Sequence, residues 1–194
     1  MSEPGNTSYA IAPYQRIPPS PQAASGVHYC IIPQESWHGP NASQHSSYDS
    51  STVVFLTQDG SDISLAQAAN RRSAMWNLVV NSAAPWVPQD DPQYSDMSTK
   101  VSLRIHFVGY PQGYTRQIMA VRSTRFTPPI SLRDMIRKIA EETRAYLMMY
   151  NENGRAELHL NGHVYAMEEI FLLGITRISK GSWQPVYYIV PHYP

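Results

Sequence analysis

The sequence has one cysteine and no long apolar run. Because Cys30 stands alone among 194 residues, the chain cannot form an intrachain disulfide or a cysteine-rich zinc site. Its first residues lack the basic start and apolar core of a signal peptide, and no stretch approaches the ~20 apolar residues of a membrane span. We therefore expect an intracellular protein, cytoplasmic or nuclear, since a free thiol suits a reducing compartment.

Catalytic motifs are also missing. The sequence contains no Gly-x-Ser-x-Gly elbow, no phosphate-binding loop and no dinucleotide fingerprint. Cys30 has no nearby cationic residue to stabilise a thiolate, so we interpret it as a buried structural thiol. His159 and His163 flank the Asn161-Gly162 turn and could face each other across a hairpin, but two histidines do not define a metal site, and surface histidines are the simpler interpretation. We expect neither an enzyme nor a cofactor.

Charged residues are scarce and unevenly distributed. They make up 15% of the sequence, below the roughly 25% of typical globular domains. The formal net charge is zero, yet residues 1–96 contain 3 basic and 8 acidic side chains, whereas residues 97–194 contain 12 basic and 7 acidic ones. This asymmetry fits an acidic N-terminal part that folds back on a basic domain, a basic surface for an acidic partner, or two unrelated solvated surfaces.

The N-terminal half divides into a tail and an extension. Residues 1–26 are rich in Pro, Ser and Gln without apolar periodicity, and we expect them to be disordered. Residues 27–96 predict two short strands and one helix (27–32, 51–57 and 65–80). Ser64 and Gln67 form a capping box at the start of that helix. These elements are too few for a separate core, so we expect the extension to pack on the second half.

The C-terminal half, residues 97–194, shows clearer periodicity. Apolar and polar residues alternate over Lys100–Phe107, which predicts a strand with one buried face. Ser131 then caps a helix whose apolar residues follow the i, i+3, i+4, i+7 spacing over about four turns. The remaining predicted elements are four strands (117–126, 156–160, 163–167 and 185–190) and a helical turn (168–175).

This order of elements resembles the ubiquitin-like β-grasp superfold. The similarity is most concrete in three segments, which look like a strand with its Gly-containing turn, a leucine–glycine–isoleucine step and a last central strand: Leu158–Gly162, Gly174-Ile175 and Val186–Val190. The resemblance implies an α+β fold in which one amphipathic helix crosses a mixed sheet. The chain ends in Pro191–Pro194 rather than in the diglycine of a conjugated modifier. The resemblance therefore implies a ubiquitin-like or Ras-association-type adaptor whose domain is not conjugated to other proteins.

We predict that this domain is a protein–protein interaction adaptor that uses a sheet face or an edge strand. Its basic excess suggests a partner with an acidic surface. Arginine and tyrosine at outward positions are typical interface anchors. The candidate partner-binding residues are of these two types: Arg104, Arg122, Arg125, Arg137 and Tyr187.

Two other functions stay open at this point. Several arginines of the first two strands and the helix occur near Tyr110 and Tyr114, and a basic face with aromatic residues is typical of single-stranded RNA binding. Glu141 and Glu142 interrupt that face, as on an ordinary solvated helix surface. The apolar last strand, followed by a tyrosine-containing end, suggests as a second alternative a self-assembling protein whose subunits pair through strands.

Overall fold

The structure, a computed structural model, describes residues 29–35, 52–87, 99–120 and 129–190. Within these ranges lie strands β1 (Cys30–Ile31), β2 (Thr52–Val54), β3 (Lys100–Ile105), β4 (Tyr114–Met119), β5 (Glu157–Leu160), β6 (His163–Ala166), β7 (Ile170–Ser179) and β8 (Ser182–Ile189), helices α1 (Leu65–Ala69) and α2 (Leu132–Tyr150), and a 3-10 helix (Ala74–Asn77). This mixed content confirms the predicted α+β class. The tail predicted to be disordered, residues 1–26, lies outside the described residues.

A six-stranded mixed sheet organises the fold. Its strand order is β2-β7-β8-β3-β4, and β1 pairs with β8 beside this path. The pairing of β3 with β8 is parallel and places Leu103 opposite Trp183, whereas the other described pairings are antiparallel. The strands β5 and β6 form a separate antiparallel hairpin. The first strand of the C-terminal half therefore lies beside the last one.

The alternation predicted for β3 is present in the structure. Val101, Leu103 and Ile105 are buried in the core, whereas Ser102 and Arg104 are half-buried on the opposite side of the strand. The buried side chains belong to the same hydrophobic cluster as those of α2. One face of the sheet therefore packs on α2, and the other face is polar at β3.

The helix α2 forms as its sequence predicts. The side-chain oxygen of Ser131 accepts an N–H of the first turn at 3.1 Å. All eight positions predicted to face inward are buried: Leu132, Met135, Ile136, Ile139, Ala140, Thr143, Tyr146 and Leu147. The N–H groups of Leu132 and Arg133 donate to the carbonyls of Ala84 and Ser82, so the extension helps to cap the helix. In the described part of the chain, no helix is both long and apolar enough to cross a membrane.

The N-terminal extension shares a core with the C-terminal half. Ile32 has 1% of its surface exposed, and its N–H donates to the carbonyl of Tyr187 at 2.9 Å. The ring of Trp86 lies edge-to-face against that of Trp183, with centroids 4.8 Å apart. The extension therefore supplies strands to the main sheet and aromatic volume to its core.

The helix of the extension is shorter than predicted. The predicted capping box is present, but α1 ends at Ala69, and the prediction that it continues to Val80 is wrong. The side-chain oxygen of Asn70 accepts the N–H of Arg72 at 3.0 Å, and such a local bond stabilises a turn in competition with the helix. The 3-10 helix then occupies part of the predicted span.

The helical turn predicted at 168–175 is wrong, because this segment lies largely in β7. A register shift between Leu172 and Gly174 interrupts the pairing with β8. The inward residues are consequently Ile170, Leu172 and Ile175, whereas the helical turn predicted Leu173 in place of Leu172. Pairing with β2 on one side and β8 on the other favours the strand.

Gly174 allows β2 to lie close to β7. A Cβ atom at this position would lie 2.5 Å from the carbonyl oxygen of Val53, a backbone atom that cannot rotate away. We expect Gly174→Ala to lower the free energy of unfolding by about 1–3 kcal/mol, because β2 must shift to relieve the overlap. Urea unfolding followed by circular dichroism measures this change. The control is Gly113→Ala, whose Cβ would lie 3.1 Å from Cβ and Cγ of His106, a contact that a shift of a few tenths of an ångström relieves; equal losses in both variants would contradict the explanation.

Candidate protein-binding surface

The sheet face opposite α2 is polar where β3 and β4 meet. The register places Ser102 beside Gln117 and Arg104 beside Thr115. Thr115 and Gln117 are exposed, whereas Ser102 and Arg104 are half-buried. These four residues are called the outer face below. They present hydroxyl, amide and guanidinium groups, all of which can hydrogen-bond to a partner.

Arg104 is the predicted binding residue that the outer face contains. Its Nε donates to Oγ of Ser182 at 3.0 Å, and its Nη1 donates to Oγ1 of Thr115 at 3.3 Å. Burial lowers the pKa of Arg104, yet an arginine stays protonated at neutral pH. Arg104 therefore holds a positive charge in a defined orientation. Arg122 and Arg125 lie outside the described residues, and their binding roles stay predictions.

Within the described part of the chain, β4 forms one edge of the sheet. The N–H of Ala120 donates to the carbonyl of Thr99, so every second amide of this segment points toward β3. By the same alternation, the N–H groups of Thr115, Gln117 and Met119 point away from β3. A row of outward amides with a spacing of two residues is the feature that an added strand can pair with.

Arg116 lies on the same edge strand. Its side chain is 63% exposed, and its Nε lies 3.6 Å from Oε1 of Glu142 on α2. The hydroxyl of Tyr114 donates to the second oxygen of that carboxylate at 2.5 Å. Burial, reinforced by this hydrogen bond, raises the pKa of Tyr114 to about 12. Glu142 therefore links the start of β4 to α2 by a hydrogen bond and an ion pair. The strand begins at Tyr114, three residues before the predicted start at Gln117.

The structure separates Arg137 from Arg104. Arg137 lies on α2, which covers the opposite face of the sheet. Its side chain is only 16% exposed and forms ion pairs with Glu141 at 2.6 Å and with Asp134 at 3.4 Å. The two arginines are therefore not parts of one continuous basic surface, and the i, i+3 and i, i+4 pairs indicate that Arg137 stabilises the helix.

Tyr187 does not face outward, and its predicted placement at an interface is wrong. Its side chain is fully buried, and its hydroxyl is hydrogen-bonded to Oγ1 of Thr143 at 2.6 Å. Burial raises the pKa of Tyr187 well above its usual value. Its ring centroid lies 5.4 Å from that of Phe107. Tyr187 is a core residue that joins β8 to α2.

The residues considered for metal or thiol chemistry do not form a site. The hairpin register pairs His159 with Val164 and His163 with Leu160, so the two imidazoles lie on opposite faces rather than facing each other. Among the described residues, no group of three or more potential metal ligands is found. Cys30 is exposed, so the prediction of a buried thiol is wrong; it lies in the two-residue strand β1 at the rim of the sheet.

The tyrosines considered for base stacking pack mainly against one another. The ring of Tyr110 lies 5.6 Å from that of Tyr146 and 5.7 Å from that of Tyr150, and Tyr114 lies 5.8 Å from Tyr146. Tyr110 and Tyr114 are half-buried in this packing and do not form the open row of ring faces on which successive bases of a single strand stack. This packing gives the nucleic-acid hypothesis less support than the edge strand gives to protein binding.

The last strand, which suggested pairing between subunits, lies inside the sheet. β8 pairs with β7 along one side, and on its other side it pairs first with β3 and then with β1. Its backbone groups therefore already have partners along the strand. Self-association through β8 would require one of these neighbours to leave, which makes this route unfavourable.

No protein-family model, no curated protein and no solved structure matches the chain. Its own residues and contacts therefore carry the functional conclusion.

Proposed function

We propose that the chain is an intracellular, non-catalytic adaptor in which a β-grasp (ubiquitin-like) domain binds another protein. The hairpin of β3 and β4 precedes α2, and β8 returns parallel to β3 in the middle of the sheet. A helix packed across a mixed sheet of this order supports the β-grasp part of the proposal. The described part of the extension adds β1 and β2 to that sheet and leaves β4 at an edge.

The outward amides of β4 are the observation that carries the proposal. An extended segment of a partner can pair with Thr115, Gln117 and Met119 and so continue the sheet. The pairing needs no rearrangement of β3 and β4, because the ladder between them uses the alternate amides. Main-chain hydrogen bonds of this kind supply affinity, while neighbouring side chains decide which sequence binds.

The charges beside this edge favour an acidic partner. The two strands β3 and β4 contain the basic residues Lys100, Arg104 and Arg116 and no acidic residue. Arg116 is exposed on the edge strand itself, and Arg104 is held on the outer face. A partner strand with Asp or Glu would meet these charges, which accelerates association and disfavours basic sequences.

A proline at position 117 tests this mode of binding. Gln117→Pro removes the central outward N–H but leaves the ladder to β3 in place, and proline is tolerated on an edge strand at such a position. We expect proteins captured from cells by the unaltered chain to be lost from this variant. Quantitative mass spectrometry of affinity-purified complexes measures the loss, and circular dichroism checks that the fold is retained.

The matched control is Gln117→Ala, which removes the side chain but keeps the N–H. We expect this variant to retain the captured proteins. Equal capture by the proline variant and the unaltered chain would rule out pairing at β4. Loss in both variants would instead show that the Gln117 side chain is recognised.

A further inference from the structure

A shallow depression lies where the loop after β3 meets the end of α2 and the start of β5. Its volume is about 490 Å³, within the range of roughly 300–1,000 Å³ typical of ligand pockets. Its walls include two tyrosines, two carboxylates and the amide side chains of the turn that follows α2: Tyr110, Tyr150, Glu152, Glu157, Asn151 and Asn153. This combination differs from the outer face, which is basic.

The tyrosine walls are held in place by their own contacts. The hydroxyl oxygen of Tyr110 accepts the backbone N–H of His159 at 3.1 Å, and the same oxygen can accept a second hydrogen bond from a ligand. The rings of Tyr110 and Tyr150 are perpendicular, at 90°, with centroids 5.7 Å apart. Two half-buried rings at a right angle form a preorganised aromatic corner.

The electrostatics of the depression favour a cation. Glu152 is exposed, and the Glu157 side chain, 24% exposed, accepts the side-chain N–H of Asn151 at 3.3 Å. The C-terminal end of α2 adds partial negative charge, and its last turn contains no basic residue to offset it. The cation beside these groups is Arg155, whose Nη1 lies 3.7 Å from Glu157 and whose side chain is 73% exposed. Such an exposed pair is weak and can exchange for a ligand.

We propose that this depression binds an arginine side chain presented by a partner protein. A guanidinium group is planar, so it can stack on a tyrosine ring while it donates two hydrogen bonds to one carboxylate. An ammonium group can use the carboxylates but lacks the planar fork. The site is separate from β4 and does not depend on the proposed pairing there.

A pair of short peptides tests this site. The probe is acetyl-Gly-Arg-Gly-amide, and its control contains citrulline, a neutral isostere, in place of arginine. Titration is followed by two-dimensional amide NMR of the full chain. We expect saturable shifts at Gly109, Asn153 and His159, and an affinity about tenfold lower for the citrulline peptide, since two ion pairs of typical exposed strength are lost.

Two variants locate the interaction. Glu157→Gln keeps the oxygen that accepts from Asn151 but removes the charge, and we expect it to weaken arginine-peptide binding about two- to fivefold. Glu168→Gln, which changes an exposed carboxylate outside the depression, should leave the affinity unchanged. Gln117→Pro should also leave it unchanged, which separates failure of this site from failure of pairing at β4.

Three results would overturn the arginine site. One is equal affinity for the arginine and citrulline peptides, and another is an unchanged affinity in Glu157→Gln. The third is the absence of saturable shifts around the depression at millimolar peptide.

Discussion

Replacing Trp183 by alanine is expected to lower the free energy of unfolding by about 3–5 kcal/mol. Trp183 is fully buried in β8, opposite Leu103 of the parallel neighbour β3. Its ring also contacts Trp86 of the extension. Truncation therefore opens a cavity at the point where the sheet, the last strand and the extension meet. Urea unfolding followed by far-ultraviolet circular dichroism measures the loss.

The control for this experiment is Gln184→Ala, the next residue of β8, whose side chain lies on the opposite face of the sheet. It is half-buried, and its Nε2 donates to the carbonyl of Glu35 at 3.3 Å. We expect a loss of only about 0.5–1.5 kcal/mol there, the net contribution of one hydrogen bond. A loss for Trp183→Ala no larger than this would mean that the tryptophan does not organise the core.

The second large effect is expected at Ile32, which tests whether the extension is part of the cooperative fold. Ile32→Ala should lower the free energy of unfolding by about 2–5 kcal/mol, since it removes a buried side chain between β8 and the rest of the core. The backbone around Ile32 is hydrogen-bonded to two other parts of the chain. The N–H of Ile32 donates to the carbonyl of Tyr187 in β8, and the N–H of Val108 donates to the carbonyl of Pro33 at 3.2 Å.

Cys30→Ala provides the matched control, because Cys30 is an exposed residue of β1, two positions before Ile32. Its substitution should change stability by no more than about 0.5 kcal/mol. Hydrogen exchange adds a second measurement. If Ile32→Ala increases exchange only around residues 29–35 and leaves the global unfolding midpoint unchanged, the segment opens locally and is not integral to the fold.

The helix α2 illustrates how far local sequence information reaches. Ser131 supplies the capping oxygen, and the apolar spacing identifies every inward residue of the helix before any tertiary contact is known. The strands β3, β5 and β6 were predictable for a similar reason, since alternation and the Asn161-Gly162 turn act over a few residues. Arg104 follows from the same alternation as an outward residue of β3.

The misplacement of Tyr187 has a different cause. From Pro185 to Ile189, residues on both faces of β8 are apolar or aromatic, so this part of the sequence has no alternation that separates inward from outward positions. Tyr187 faces Thr143 of α2, while the neighbouring Tyr188 packs against Phe171 on the other face, with centroids 5.2 Å apart. The alternation of the polar residues Ser182 and Gln184 with Trp183, continued along the strand, is a sequence signal that places Tyr187 on the inward side.

Local chemistry was therefore enough to specify the capped helix, the alternating strands and the α+β class, because caps, turns and periodicity depend on neighbouring residues. The length of β7 and the end of α1 depended on partners distant in the chain. The edge position of β4 also depended on such partners, since an edge exists only once the sheet order is known. The candidate arginine site has the same origin: Tyr110 and Glu157 carry no shared motif, and the folding of α2 and β5 brings them to one depression.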